Sequence, residues 1–297
     1  MIRVGVDWGS STFRAYHFDE NANIIDSLTR PLGIKQVNSN SDTSTQFEDI
    51  LFTEVGSWLQ SGDSVLLSGM ITSANGWHET EYLECPADIA AIGNHLGKTL
   101  CRGVQLLFVP GICQRSPYAD VMRGEELQLL GTSSTTDAEL VVMPGTHSKW
   151  ASMDHGTIQS FRTIPTGELY QILLHNSLIG QLATPNDWLH EHFIAGLELG
   201  HKTNRIISEL FSCRANVLMK QLPEEGVRSY LSGLLIGAEI NEGRILQPSS
   251  TIKLIGDDML CDRYQTAIEH LGLTVSARII DASVQGFSRL ITDIKQR

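Results

Sequence analysis

The chain has 297 residues and carries 22 Lys and Arg against 34 Asp and Glu, a formal charge of −12 with neutral histidines. At about twice the usual domain length it can bury two cores, and with 41% hydrophobic and 19% charged residues its composition excludes a disordered chain. So acidic a protein is a poor nucleic-acid binder, because that affinity comes from Lys and Arg neutralising phosphates; a phosphorylated ligand must be held locally, by backbone amides and a few placed cations. Asp7 interrupts the N-terminus too early for a signal peptide, and no apolar run approaches the ~20 residues that span a bilayer, so the chain reads as cytoplasmic with no membrane partner. Cys85, Cys101, Cys113, Cys213 and Cys261 are scattered without a C-x-x-C pair, which points to reduced thiols. His190-Glu191-His192 makes a poor metal site, because helical residues two apart do not share a face.

The first thirty residues predict a meander of three strands, Ile2 to Val6, Phe13 to Phe18 and Ile24 to Leu28, with turns at Gly9-Ser10-Ser11 and Asp19-Glu20-Asn21. From Thr45 to Gln60 the apolar residues Phe47, Ile50, Leu51, Val55, Trp58 and Leu59 fall at helical spacing. A short strand over Ser64 to Ser68, a loop at Asn75-Gly76, a helix start at Pro86-Ala87-Asp88 and a strand over Val104 to Val109 complete an α/β half. Two prolines and a glycine between Pro110 and Pro117 mark a boundary, followed by a predicted helix from about Asp120 to Leu130.

A second meander then begins. Leu140 to Met143, Lys149 to Met153 and Ile158 to Arg162 read as strands, with turns at Pro144-Gly145-Thr146-His147 and Asp154-His155-Gly156. Laying Gly145 on Gly9 puts Thr146 on Ser10 and Met143 on Asp7, an internal pseudo-repeat that implies two similar lobes. The rest is helix-rich from Glu168 to about Glu242, then a strand over Thr251 to Gly256, a helix over Asp258 to Leu271 and a strand over Thr274 to Ile280.

Two features carry chemistry. Asp7, at the end of the first strand, runs into a turn rich in N–H and hydroxyl donors, which can wrap phosphate oxygens while the carboxylate holds Mg²⁺. The turn Gly145-Thr146-His147-Ser148-Lys149 offers the same donors plus an ammonium, so two such turns could grip one polyphosphate. Neither a Walker sequence nor a G-x-G-x-x-G after a strand is present, which argues against a P-loop kinase and a Rossmann dehydrogenase. Between the turns lie Asp120, Glu125 and Glu126, any of which could accept a proton from an attacking hydroxyl.

The blocks running from Val6 through Asp7 and Arg14 to Tyr16, from Leu67 to Ile71 with Asn75-Gly76-Trp77, from Asp120 to Glu126, from Pro144 to Trp150, Thr166-Gly167-Glu168-Leu169, and from Ser232 to Glu239 resemble the 2-dehydro-3-deoxygalactonokinase family along nearly the whole chain. More distantly the chain is similar to the acetate and sugar kinase, heat-shock chaperone and actin superfamily. That resemblance implies an α/β fold of two ribonuclease-H-like lobes around a central nucleotide cleft. The expected lobes are 1–117 with the C-terminal helix 282–297 returning to it, and 118–281. It implies a phosphate loop of Gly9, Ser10, Ser11 and Thr12 with Asp7 at the metal and Arg14 near the transferring phosphoryl group. Glu125 falls at the catalytic glutamate, Gly145, Thr146, His147 and Lys149 at the second phosphate loop, and Gly256 and Asp257 with Gly233 and Gly237 at adenosine. Met143-Pro144 stands where many superfamily members carry an aspartate, which leaves Asp7 as the single acidic residue expected at the metal. The implied cofactors are ATP and Mg²⁺, and the implied substrate is a 2-keto-3-deoxy sugar acid phosphorylated at its terminal hydroxyl. Its carboxylate and hydroxyls need cations and donors, for which Asn75, Trp77, Arg123, Arg162, Thr166 and Glu168 are the candidates. Closure of the lobes would exclude water. Another sugar or polyol kinase, a polyphosphate or nucleotide phosphohydrolase, and a nucleotide-gated binding module are the alternatives; a homo-oligomer is left open.

Overall fold

The computed structural model describes residues 1–37, 42–185, 188–246, 249 and 251–297. Contacts divide it into two compact units, one of Met1–Ala138, Met153–Ser160 and Asp281–Arg297, the other of Glu139–Ser152 and Phe161–Ile280. Residues 110–117, where composition suggests a boundary, lie inside unit one.

In unit one, β1 (Ile2–Trp8), β2 (Phe13–Phe18) and β3 (Ile24–Arg30) form the expected antiparallel meander. Helix α1 (Thr43–Val55) starts where the Asp42 carboxylate accepts from Ser44 N at 3.1 Å. It buries Phe47, Leu51 and Val55 with Val4, Val6, Trp8, Val65 and Leu67. β4 (Ser64–Ser68) is buried at every position, as a central parallel strand must be. Then come β5 (Leu83–Glu84), α2 (Ile89–Asn94) capped by Asp88, β6 (Gly97–Cys101), β7 (Val104–Phe108), β8 (Ile112–Gln114), β9 (Asp120–Met122) and α3 (Glu125–Thr132). The main sheet runs β3-β2-β1-β4-β7-β6, with β1, β4 and β7 parallel, and β5, β8 and β9 make a small separate sheet.

The helix expected from Asp120 starts later. Asp120 to Met122 pair antiparallel with β8, and Gly124, at φ +111°, turns the chain from that strand into α3. A left-handed residue cannot sit inside a helix, so the helical stripe begins at Glu125.

Beyond α3 the chain forms β10 (Ala138–Met143), β11 (Ser148–Asp154) and β12 (Thr157–Ile164), followed by α4 (Thr166–Asn176), α5 (His190–Lys202), α6 (Ile206–Glu209), α7 (Ser212–Leu218) and α8 (Val227–Leu246). β13 (Thr251–Gly256), α9 (Asp258–His270) and β14 (Thr274–Ile280) close unit two, and α10 (Ser283–Gln296) belongs to unit one. The second sheet runs β12-β11-β10-β13-β14, with β10, β13 and β14 parallel. It repeats the order β3-β2-β1-β4-β7, so the pseudo-repeat read from the two turns extends to five strands.

Glycines set the closest helix contacts. A Cβ on Gly196 or Gly200 of α5 would lie 2.1 and 2.0 Å from the carbonyls of Tyr230 and Leu234, and on Gly233 or Gly237 of α8, 2.0 and 2.3 Å from those of Phe193 and Leu197. Two stripes of glycine four residues apart thus let α5 and α8 touch backbone to backbone. In unit one Gly131 of α3 meets Gly286 of α10 in the same way. All five cysteines are unpaired, and no described helix is long and apolar enough to cross a membrane.

Candidate active site

In unit one the first turn is built on the end of β1. Gly9 N donates to Thr12 O at 2.8 Å, while the carbonyls of Gly9 and Ser10 accept from Ile34 N at 3.0 Å and Lys35 N at 3.1 Å. Trp8 Nε1 donates to Leu32 O at 2.7 Å, and a Cβ on Gly33 would lie 2.2 Å from Ser11 N. The 32–35 segment therefore braces the turn by its carbonyls and needs glycine at 33. Asp7 lies opposite Arg14 in the β1–β2 register and beside Ser68 in the β1–β4 register. Arg14 Nη1 donates to Asp7 Oδ2 at 3.4 Å and Ser283 Oγ, at the start of α10, donates to the same atom at 3.3 Å. Burial pushes the Asp7 carboxyl up from the usual range, while Arg14 and Ser283 pull it back.

At the start of α3 the two glutamates differ. Glu125 is half-buried, takes a hydrogen bond from Arg123 N at 3.0 Å on Oε2, and its charge acts on both Asp7 and Glu126. Glu126 is fully buried, with Gly124 N donating to Oε2 at 2.6 Å and Ser68 Oγ to Oε1 at 3.4 Å. Unit one thus gathers Asp7, Arg14 and Glu125 about the C-terminal ends of β1 and β4. Asp120 sits on β9 in the wall of a different hollow, with Glu79, Tyr82 and Arg115.

Three substrate candidates share this unit. Arg123 spends its guanidinium on the chain: Nη1 donates to Thr72 O, Thr72 Oγ1 and Thr80 Oγ1, each at 2.6 Å, and Nη2 to Thr80 O at 3.0 Å, with Tyr82 beneath it at 4.3 Å. It ties down the 72–80 loop that carries Asn75 and Trp77. Trp77 packs on the core, stacked on Phe47 with Nε1 donating to Ser44 Oγ at 3.0 Å, whereas Asn75 is exposed.

In unit two, β10 leads into the second turn. Gly145 N donates to Ser148 Oγ at 3.4 Å, Lys149 is 4% exposed, and Glu168 N donates to Thr146 O at 2.9 Å. Gly167 fits only as glycine, since its Cβ would lie 2.4 Å from Gly145 O. His147 Nε2 and Glu168 Oε2 are 3.0 Å apart on the exposed side, while Arg162 is half-buried on β12. Thr166 is buried, bonded to Glu239 and Tyr264. Behind the turn Glu239 is 1% exposed and accepts from Trp150 Nε1 at 2.9 Å and from Tyr264 OH at 2.5 Å, with the Tyr264 hydroxyl 3.1 Å from Ser148 Oγ.

Beside this turn lies a cavity of about 180 Å³, walled by Gly145, Thr146, Thr166, Gly167, Tyr170 and Gln171, by Ser232, Leu235 and Ile236 of α8, and by Leu260, Arg263 and Tyr264 of α9. Gly233 and Gly237, expected at adenosine, face α5, on the side of α8 away from this cavity. Gly256, at φ +153°, and Asp257 form the β13–α9 junction, and the Asp257 carboxylate caps α9 by accepting from Leu260 N at 3.1 Å. The sequence held a signal for this crossing: glycines spaced by four on both α5 and α8 mark a close helix contact, and residues 232, 235, 236 and 239 form the opposite helical face. Ser283, Ser68, Tyr170 and Arg263 carried no such signal.

The 2-keto-3-deoxy-galactonokinase family profile matches residues 7–290. The 2-dehydro-3-deoxygalactonokinase of Escherichia coli K12 is 36% identical over 290 residues, covering 97% of this chain and 96% of the relative. A solved Sinorhizobium meliloti structure, described as a 2-dehydro-3-deoxygalactonokinase protein, superposes with a TM-score of 0.88 at 28% identity over 98% of each chain. At 14% identity, a Porphyromonas gingivalis structure assigned as an N-acetylglucosamine kinase aligns over 98% of each chain with a TM-score of 0.51, which bears on the fold alone. The α/β sugar-kinase fold and the resemblance read from the motifs agree with these matches, and the chain belongs to the 2-keto-3-deoxy-galactonokinase family.

Proposed function

We propose that this kinase transfers the terminal phosphoryl group of ATP to the 6-hydroxyl of 2-dehydro-3-deoxy-D-galactonate, in the cytoplasm and in D-galactonate catabolism. The reading rests on the 36% identity, sustained over 97% of the chain, to an enzyme named for that substrate.

Each unit supplies a share of the chemistry. In unit one the Gly9–Thr12 turn offers donors to phosphate oxygens, and Glu125 draws the proton from the attacking hydroxyl onto its carboxylate as the new O–P bond forms and the bond from the terminal phosphorus to the bridging oxygen breaks, ADP leaving with that oxygen. Arg14 offsets charge on the phosphoryl oxygens. In unit two the turn at Gly145, Thr146 and His147 holds phosphate with Lys149, a cation kept close to the loop by its burial. The nucleoside belongs to the cavity beside that turn, where Tyr170, Leu235, Ile236 and Leu260 give apolar walls and Ser232, Gln171 and Arg263 polar ones, a mixture that suits a planar base. Gly233 and Gly237 serve it indirectly, by seating α8 on α5. Arg123 serves the sugar acid in the same indirect way, by fixing the 72–80 loop, while Asn75, Arg162 and Glu168 remain direct candidates for its hydroxyls and carboxylate.

Mg²⁺ fits the donor set. Among the described residues no group of three or more His, Cys, Asp and Glu is placed to hold a metal, and Asp7 is a single, mostly buried carboxylate. That suits a cation that keeps most of its waters and leans on substrate phosphates. When bound, Mg²⁺ supplies charge neutralisation at the polyphosphate; Asp7 is the residue that would hold it, its Oδ2 fixed by Arg14 and Ser283.

A coupled assay of ADP release with ATP and a panel of acceptors tests the proposal. Turnover is expected with 2-dehydro-3-deoxy-D-galactonate, weaker with its gluco epimer, and absent with simple hexoses. A better rate on a hexose or polyol would overturn the substrate assignment.

A further inference from the structure

Glu126 is a buried titratable group that the mechanism above leaves without a task. Its side chain plugs the junction where β4 ends and α3 begins: Gly124 N donates to Oε2 at 2.6 Å, and Ser68 Oγ lies 3.4 Å from Oε1. Neither neighbour is charged. Ser68 stands beside Asp7 in the β1–β4 register, and Gly124 can hold its φ of +111° only because it lacks a side chain. The charged groups around this carboxyl are few. Glu125 is the next residue on α3 and repels a second negative charge; Arg123 attracts it weakly, its guanidinium being spent on Thr72 and Thr80. Asp7, on β1, feels the charge of Glu125. From α10, the other element packed on α3, Arg289 reaches the carbonyl of Leu130 at the far end of the helix. The carboxyl has three neutral donors, its own backbone N–H, Gly124 N and Ser68 Oγ, but no cation bonded to it and a like charge beside it; buried so, the anion is unfavourable, whereas the acid can keep the backbone bonds and place its proton toward the Ser68 hydroxyl.

We infer that Glu126 is a positioning residue: as the neutral acid it ties the first turn of α3 to β4, so that Glu125 alone of the pair presents an anionic carboxylate. The inference rests on Glu125 being the base. Burial, then the charge of Glu125, pushes the Glu126 carboxyl up from the usual glutamate range to about 8. The acid is therefore intact at neutral pH and ionises as pH rises through about 8. Ionisation puts a second negative charge beside Glu125, repelling phosphoryl oxygens, so kcat falls on the alkaline side while KM for the sugar acid changes little.

The test compares Glu126→Ala, Glu126→Gln and Glu125→Gln in the intact enzyme, with kcat and KM measured across pH. Glu126→Ala is expected to lose at least about tenfold in kcat with KM for both substrates nearly kept, and Glu126→Gln, which keeps the shape and stays neutral, to restore most of it and to abolish the alkaline fall near 8. Glu125→Gln is expected to lose at least about a hundredfold. The inference is overturned if Glu126→Gln is as impaired as Glu125→Gln, which would make Glu126 the base, or if its alkaline fall persists. If Glu125→Gln turns over normally, the base assignment fails by itself. Infrared spectroscopy then still decides about Glu126, because a protonated-carboxyl band present in the wild type at neutral pH, and lost on titration through about 8, does not depend on activity; absence of that band overturns the inference even where the Glu126 variants do not fold.

Discussion

Glu239 shows how a single residue can set the geometry of a turn it does not belong to. Its carboxyl accepts from Trp150 Nε1 and Tyr264 OH, and bonds to Thr166 and Ser148 also draw on it. Burial pushes this carboxyl up, and the donors pull it back. Those partners lie on β11, α9 and α4, the elements that shape the second turn and its cavity. Truncation would leave the Trp150 indole N–H buried without an acceptor and take from the Tyr264 hydroxyl its closest one, leaving it Ser148 Oγ at 3.1 Å; a buried donor left unsatisfied costs on the order of 1–3 kcal/mol. Glu239→Ala is therefore expected to lose about 3 kcal/mol in urea unfolding, and Glu239→Gln clearly less, since the amide oxygen keeps one donor satisfied. An alanine variant as stable as the wild type would show that the network is not structural. Nothing in the local sequence marks Glu239, because its partners come from three separate segments.

Helices α5 and α8 reverse an ordinary expectation. In an exposed helix interior, glycine to alanine stabilises by about 1 kcal/mol. At Gly233 the added Cβ would stand 2.0 Å from Phe193 O, a backbone atom that cannot move without shifting α5. Gly233→Ala is expected to destabilise unit two by about 2 kcal/mol or more in urea unfolding, and to weaken ATP binding by calorimetry, since Ser232, Leu235 and Ile236 on the other face of α8 wall the cavity. A neutral or stabilising result would refute the tight crossing. Strand and helix periodicity made most elements legible, including both meanders and the strand, helix and strand closing unit two. The start of α3 was not legible, because a three-residue strand in a small sheet has too few positions for its alternation to outweigh a neighbouring helical stripe.

Across the whole molecule, the charge of −12 leaves little cationic surface for a polyphosphate, so the proposed function needs its cations, Arg14 and Lys149, at defined positions. Both are placed by the repeated strand unit, Arg14 on β2 and Lys149 on β11, one strand after the turn in each unit. A kinase must also favour the sugar hydroxyl over water, which is the more abundant acceptor. With Glu125 serving a bound hydroxyl, ATP consumption without a sugar acid is expected below about one hundredth of the rate with it, the scale of general-base assistance. Equal rates with and without acceptor would make the protein a phosphohydrolase instead.

By itself the sequence determined the α/β class, the two-fold strand meander, the two donor-rich turns and the family, because each is written in local periodicity, turn chemistry or contiguous motif. Only the tertiary structure decided what the side chains between those motifs do. It packed Gly233 and Gly237 into a helix crossing and spent Arg123 on Thr72 and Thr80. It also separated two adjacent glutamates into a half-buried Glu125 and a fully buried Glu126. The reason is physical: a residue type announces which bonds it can make, whereas burial and distance, which select among them, depend on segments far apart in the chain.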